Sequence, residues 1–201
     1  MAIPSRPLRR ITASRKVKAV IPARSLAEQA IHPQQVRRLV ERGELTRVGR
    51  GQYVLPASEH SENFGLALVA AAARRSVVCL LSALRFHNIG TQAPREVWIA
   101  VERGDTRPRI DYPPVRIAQF TGPAFKFGIE RHTIDGVPVR IYSAAKTVAD
   151  CFRFRNKIGL DIALEALREG VRERRFTRDE LWAAAKVCRV TVVMRPYLEV
   201  L

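Results

Sequence analysis

The sequence is poor in the features that most readily announce a function. It has no uninterrupted apolar run of the roughly 20 residues that a membrane-spanning helix requires. Its most apolar stretch, "GLALVAAAARRSVVCLLSAL", is split by Arg74 and Arg75 and reads as two core helices. The basic N-terminus lacks the apolar segment and small-residue cleavage site of a secretory signal. Only three cysteines occur, Cys79, Cys151 and Cys188. An odd and widely spaced set makes no disulfide framework and fits a reducing cytoplasm. The few histidines stand at no metal-ligand spacing from those cysteines. Neither a GxxxxGK[ST] loop nor a GxGxxG turn is present, so the standard nucleotide cradles are missing. No metal and no cofactor is therefore expected. Acidic residues are also short: 19 Asp and Glu stand against 35 Lys and Arg, a formal net charge of +16.

What remains is a chain of 201 residues, 47% hydrophobic and 27% charged, enough for one ordinary domain or two small ones with a real core. Almost all of the positive charge is arginine, which forks onto phosphate and reads guanine edges better than lysine does. That balance favours nucleic acid, with an anionic membrane surface or an acidic protein as rivals. The charge is uneven. Residues 1–55 carry 12 basic and 3 acidic side chains, an excess of nine; the rest of the chain carries 23 and 16, an excess of seven over nearly three times the length. The polar segment "PASEHSEN" (56–63) opens with Pro56, has no periodicity and reads as a linker. Two parts are expected, residues 1–56 with a basic N-terminal arm and residues 62–201.

The first part reads as short helices and a hairpin. "ITASRKVKAV" offers Ile11, Val17 and Val20 to a first helix. "SLAE" (25–28) has the pattern of a capping box, Ser25 with Glu28, and would turn Leu26, Ala27 and Ala30 inward. In "HPQQVRRLVERG", His32 serves as N-cap, Pro33 as first helical residue and Gly43 as the left-handed residue after the end. Val36, Leu39 and Val40 then form one buried stripe. "LTRVGRGQYVL" alternates Leu45 and Val48 with Tyr53 and Leu55 around a Gly49-Arg50-Gly51 bend.

Helix, turn, helix, hairpin is the order of a winged helix-turn-helix. A helix from Gln34 to Arg42 is slim enough for the major groove, and its first residues would reach base edges. Gln34, Gln35, Arg37 and Arg38 are the candidates for base contact. Arg42, Arg47 and Arg50 would mainly hold phosphates, with Arg24 as a weaker member. Arg6, Arg9, Arg10, Arg15, Lys16 and Lys18 would add backbone attraction. The plainer reading of the same residues is a solvated basic helix on a small hairpin, serving as a protein-interaction module.

The second part is mixed. "ENFGLALVAAAARR" and "VCLLSALRFH" look helical, and "EVWIAV" and "VRIAQF" look like strands. Asp135-Gly136 is the strongest hairpin signal in the chain. "SAAKTVADCFRFR" starts at a Ser143 cap, and "GLDIALEALREGV" aligns Leu160, Ala163, Leu164, Leu167 and Val171. "TRDELWAAAKV" opens with a Thr177/Glu180 capping box. The fold class expected is α+β: a winged helix-turn-helix, then an α+β domain with a small, mainly antiparallel sheet and a helical C-terminal part.

This arrangement resembles the AbiEi family, the antitoxins of type IV abortive-infection systems in bacteria. The residues that carry the likeness are "RLVERGELTRVGRGQYVLP", then "VVCLLSALRFHNIGTQAPREVWIAV", "IDGVPVRIYSAAKTVADCFRFR" and "RPYLEVL", a span from about Ser25 to the C-terminus. The resemblance implies an N-terminal winged helix that represses its own operon by binding double-stranded operator DNA. It also implies a C-terminal domain that counters a nucleotidyltransferase-like toxin of the AbiEii type. A stand-alone regulator of the same layout is the alternative.

Catalytic sets are weak by comparison, and no enzyme is expected. Ser82, His87 and Asp150 can be drawn as a hydrolase triad, but no nucleophile elbow accompanies them. A metal-dependent nuclease needs clustered carboxylates with a lysine close by, whereas Asp105, Asp111, Glu130 and Asp135 are dispersed. Asp150, an acid among apolar neighbours, is expected to pair with an arginine such as Arg153 or Arg140, or to bond loop amides. "FRFR" with Arg172, Arg174 and Arg175 makes a second basic surface.

Overall fold

The computed structural model describes residues 20–56 and 60–199, and they form two compact units. The first takes the described residues up to Arg74 with Pro108–Pro113 and Thr133–Val139; the second takes the remainder. The basic arm from Arg6 to Lys18 and the helix expected over "ITASRKVKAV", apart from Val20, lie outside the described residues.

The first unit runs β1 (Ile21–Pro22), α1 (Ala23–Glu28), α2 (Pro33–Glu41), β2 (Thr46–Gly49), β3 (Gln52–Val54) and α3 (Phe64–Ala72). Its three strands lie in the antiparallel order β1-β3-β2. The expected Ser25/Glu28 box does not form. Pro22 occupies the N-cap with no side-chain cap bond, so the helix starts earlier and Ser25 is already inside it. Ala27 and Ala30 face solvent rather than the core. Ala30 takes a left-handed backbone (φ 57°) that ends α1, and Ile31 closes the turn by donating to the Leu26 carbonyl. Leu26 and Ile31 are thus the inward side chains. They join Ile21, Val36, Leu39 and Leu45 in a small core against which Val40, Tyr53 and Leu55 pack. Burying each such aliphatic side chain contributes about 1.5–3 kcal/mol.

Helix α2 follows its sequence signals. His32 and Gln35 form a reciprocal capping box with Pro33 at the first helical position, and Gly43 (φ 69°) stands just past the Arg42 cap. The hairpin differs from simple alternation. Gln52 and Val54 are buried, while Tyr53 and Leu55 pack on the small core, so β3 is covered on both faces. Gln52 avoids an unpaired buried amide by donating from Nε2 to the Leu68 carbonyl at 3.2 Å.

The second unit is built on β4 (Val77–Val78), α4 (Leu80–Phe86), β5 (Val97–Glu102), β6 (Val115–Phe120), α5 (Pro123–Lys126), β7 (Ile129–Ile134), β8 (Val137–Tyr142), α6 (Ala144–Arg153), α7 (Arg155–Ile158), α8 (Leu160–Arg172), α9 (Arg178–Cys188) and α10 (Thr191–Leu198). The hairpin end, Thr133–Val139, belongs to the first unit. The α+β class is as expected, and the sheet order is β6-β5-β4-β8-β7. Antiparallel β4–β5 and the two-residue Asp135-Gly136 hairpin alternate with parallel β4–β8 and β5–β6 pairs. The middle strand β4 consists of two valines within the run read as two helices. Val78 bridges Ile99 on one side and Ile141 on the other.

Helix α6 is the hub. Every residue from Ala144 to Phe152 is buried, because α4, α8 and α9 all pack on it. Ser143 accepts from the Lys146 amide, and Thr177 and Glu180 form the expected capping box on α9. On α8 the inward stripe is Ala163, Ala166, Leu167 and Gly170; Leu160 opens the helix and stays 37% exposed. Among the described residues no helix is long and apolar enough to cross a membrane.

Candidate nucleic-acid interface

Because Val36, Leu39 and Val40 turn to the core, the opposite arc of α2 presents Gln34, Gln35, Arg37, Arg38 and Glu41 to solvent, with Arg42 following at the cap. The first turn of this helix is braced from both ends. The His32 amide donates to Gln35 Oε1 at 3.0 Å, and the Gln34 amide donates to His32 Nδ1 at 3.4 Å. Proline at the first position fixes a further dihedral. Side chains on such a turn need little further ordering when a ligand arrives.

The cations differ in how they are engaged. Arg37 donates from Nε to Glu41 at 2.8 Å, one helical turn on, with side chains 83% and 56% exposed. A pair that open to water is worth a fraction of a kcal/mol, so Arg37 is easily released to another acceptor. Arg38 and Arg42 have no carboxylate partner among the described residues. Arg47 on β2 donates from Nε to the Gly49 carbonyl at 3.3 Å, which folds its side chain along the hairpin.

The hairpin turns on Arg50-Gly51, with Gly51 at φ 67°, and its register slips between Arg47 and Gly49. A bulge of this kind increases local twist and re-aims the strand end. The Gly51 carbonyl accepts from the Ala23 amide at 2.7 Å. That bond fastens the bend to the start of α1 and brings together the chain neighbours of its two ends, Arg24 and Arg50, both exposed. All eight sequence candidates are therefore exposed on one small unit: five on or next to α2, two on the hairpin and one at α1. A helix with such an exposed arc is slim enough for a major groove, where planar guanidiniums can meet guanine edges or phosphate oxygens.

The other singled-out residues are occupied elsewhere. Ser82 Oγ accepts from the Trp98 amide at 2.9 Å and lies 3.4 Å from the Glu96 carbonyl, tying α4 to β5. His87 Nε2 lies 2.7 Å from the Tyr142 carbonyl, and burial lowers its pKa. Asp150 is not held by Arg153, Arg140 or loop amides. It pairs with Lys146 at 2.5 Å, both side chains fully buried, and accepts from Cys188 Sγ at 3.2 Å. Arg140 instead donates to the Arg75 carbonyl, and Arg153 lies over the rings of Phe120 and Phe154. Burial raises the pKa of Asp150, with Lys146 opposing that shift. It pushes the Cys188 thiol up to about 12. Lys146 also sits 4.2 Å from the Tyr142 ring and 4.8 Å from that of Phe120. The arginines expected from sequence stand three positions on and ten positions back, and Lys146 was passed over, although its four-residue spacing from Asp150 is the pairing that a wholly buried helix selects. Among the described residues no group of three or more His, Cys, Asp or Glu is placed to hold a metal ion.

Residues 21–56 match a family model described as a transcriptional regulator, AbiEi antitoxin. The matched span begins at β1 and ends just after the hairpin, so it covers every candidate residue. Over these residues the likeness noted from sequence is supported. The fold as a whole is similar to that of the RV2827C protein from Mycobacterium tuberculosis, with a TM-score of 0.67 at 12% identity, over 92% of this chain and 72% of that one. No curated protein sequence matches the chain.

Proposed function

We propose that this chain is a DNA-binding transcriptional regulator whose first unit works as a winged helix-turn-helix. Helix α2 is the recognition helix: Gln34, Gln35, Arg37 and Arg38 face base edges, and Arg42 lies at its far end on phosphate. The β2–β3 hairpin is the wing, with Arg47, Arg50 and the neighbouring Arg24 gripping the backbone. The observation that carries this reading is the coincidence of the matched span, 21–56, with an exposed arginine-rich arc on a pre-capped helix. In functional terms residues 1–56 serve DNA and residues 62–201 serve the second role. The DNA-binding part represses the chain's own operon, and the second role is antitoxicity in a bacterial cytoplasm, the neutralisation of a nucleotidyltransferase-like toxin of the AbiEii type. The antitoxin description of the family matched at residues 21–56 supports this reading. Since the match stops at residue 56, a stand-alone regulator without a toxin is the second reading. An adjacent nucleotidyltransferase gene whose toxicity the chain relieves decides between the two.

The direct test is fluorescence anisotropy of the full chain with its own upstream region and with a shuffled duplex, from low to physiological salt. The expected result is a preference of about a thousandfold or more with a steep salt slope. Equal, weak binding to both duplexes removes the regulator reading and leaves a basic surface for a protein partner.

A further inference from the structure

The second unit contains a basic cavity that the DNA reading does not use. It has a volume of about 380 Å³ and lies where the β6–α5 turn meets the ends of α6 and α9. Its walls include Gly122, Pro123, Arg153, Lys186, Val187 and Arg189, and no lining residue is acidic. The cations come from two distant places in the chain, Arg153 at the end of α6 and Lys186 with Arg189 at the end of α9, so no sequence motif announces them. None of them has a carboxylate partner among the described residues. Asp150, one turn before Arg153 on α6, is already paired with Lys146.

Arg153 is held in place before any ligand arrives. Its guanidinium carbon lies 5.7 Å from the Phe120 ring and 5.9 Å from the Phe154 ring, an arrangement that orients a planar fork while leaving its donors free. Gly122 takes φ 51° and ψ −127°, a backbone that side-chain-bearing residues avoid, and open space lies where a Cβ would project. One wall is therefore bare main chain. Pro123 and Val187 supply apolar surface beside the charges. Three like charges around one concavity repel each other and concentrate anions, and the volume falls within the range of small-molecule sites.

We infer that this cavity binds a phosphate-bearing small molecule, its phosphate group between Arg153, Lys186 and Arg189 and its organic part against Pro123 and Val187. The site is independent of the proposed DNA contacts, which belong to the other unit. Isothermal titration of the full chain with ADP as probe, and adenosine as control, tests it. ADP is expected to bind at one site with a dissociation constant below about 1 mM, and adenosine not to bind. Lys186→Gln and Arg189→Gln, both exposed and outside the core, should each weaken ADP by about tenfold, the cost of losing a charged hydrogen bond. Arg38→Ala should leave ADP binding unchanged. Absence of ADP binding, equal binding of adenosine, or ADP affinity indifferent to both glutamine variants overturns the proposal. If the glutamine variants weaken duplex DNA but not ADP, the cavity is a nucleic-acid backbone contact and the small-molecule assignment is wrong.

Discussion

Two helices of this chain carry the same motif, a cation followed four residues later by a carboxylate. On α2 it is Arg37 and Glu41, with side chains 83% and 56% exposed; on α6 it is Lys146 and Asp150, both at 0%. Local geometry is the same and the consequences are opposite. In water the pair gains little, is screened by salt and comes apart readily. In the core each charge has lost its hydration, so each depends on the other. The first unit holds Arg37 with a weak pair that another acceptor can replace, the role proposed for it on DNA. The second uses a costly pair at the hub of its packing.

The largest expected effect tests the buried side. Lys146→Ala or Asp150→Ala leaves one uncompensated charge in the core and should destabilise the second unit by about 3–5 kcal/mol. Replacing both by apolar residues of similar size, Lys146→Met with Asp150→Leu, should recover most of that loss. Both tryptophans, Trp98 and Trp182, lie in the second unit, so urea unfolding followed by tryptophan fluorescence reports on this unit. A single-variant loss under about 1 kcal/mol would contradict the dependence claimed for a desolvated pair.

The exposed side should behave in the reverse manner. Arg37→Ala is expected to change stability by less than about 0.5 kcal/mol. In DNA titrations the same change, or Arg38→Ala, should cost about 1–3 kcal/mol and relax discrimination between sites. Unchanged affinity and preference in both variants would show that α2 is not the reading helix. Smaller again, Arg47→Ala and Arg50→Ala should weaken all duplexes alike and flatten the salt dependence by about one phosphate contact each. A change in sequence preference at the wing would instead place Arg50 on a base.

The smallest effect is a pH dependence. Burial lowers the pKa of His87 in the folded chain, whereas the unfolded chain protonates it near about 6.5. Stability from this group is thus fully present above the unfolded value and lost as pH falls below it toward the folded value, because the unfolded chain then binds more protons. His87→Gln keeps a donor for the Tyr142 carbonyl and removes the titration. Its stability should fall less than that of the unaltered chain between pH 7 and 5.5, and identical slopes would exclude His87 as a source.

The sequence made the capped ends legible. His32, Pro33 and Gly43 bound α2; Thr177 and Glu180 start α9; Asp135 and Gly136 turn the β7–β8 hairpin. Each acts through its own backbone neighbours, so no tertiary information is required. The features that escaped are those settled by distant parts of the chain. Strand β4 is two residues long and exists because Val78 finds Ile99 and Ile141. Ser25 lost its capping role because Pro22, fixed in an extended backbone beside β3, starts the helix earlier. Asp150 chose Lys146 over the arginines because α6 is enclosed on every side. The candidate interface was legible because it consists of local signals and exposed charge, whereas the basic cavity, drawn from three segments, was not.

The brace at the start of α2 restricts what the helix can say. Gln35 gives its amide oxygen to the His32 backbone at 3.0 Å, and its amide nitrogen makes no bond of its own among the described residues. A glutamine reads adenine by donating from its amide nitrogen and accepting on its oxygen at once; with the oxygen tied to the helix start, one of its two lone pairs is spent and its direction is set by the cap. In the proposed complex Gln35 therefore serves chiefly as a donor, to purine N7, guanine O6 or thymine O4, without telling them apart. Operator specificity then falls to Gln34, Arg37 and Arg38. An operator that drifts at the base facing Gln35 is tolerated, while a change of Gln35 itself alters grammar and spelling together, since the same side chain begins the helix.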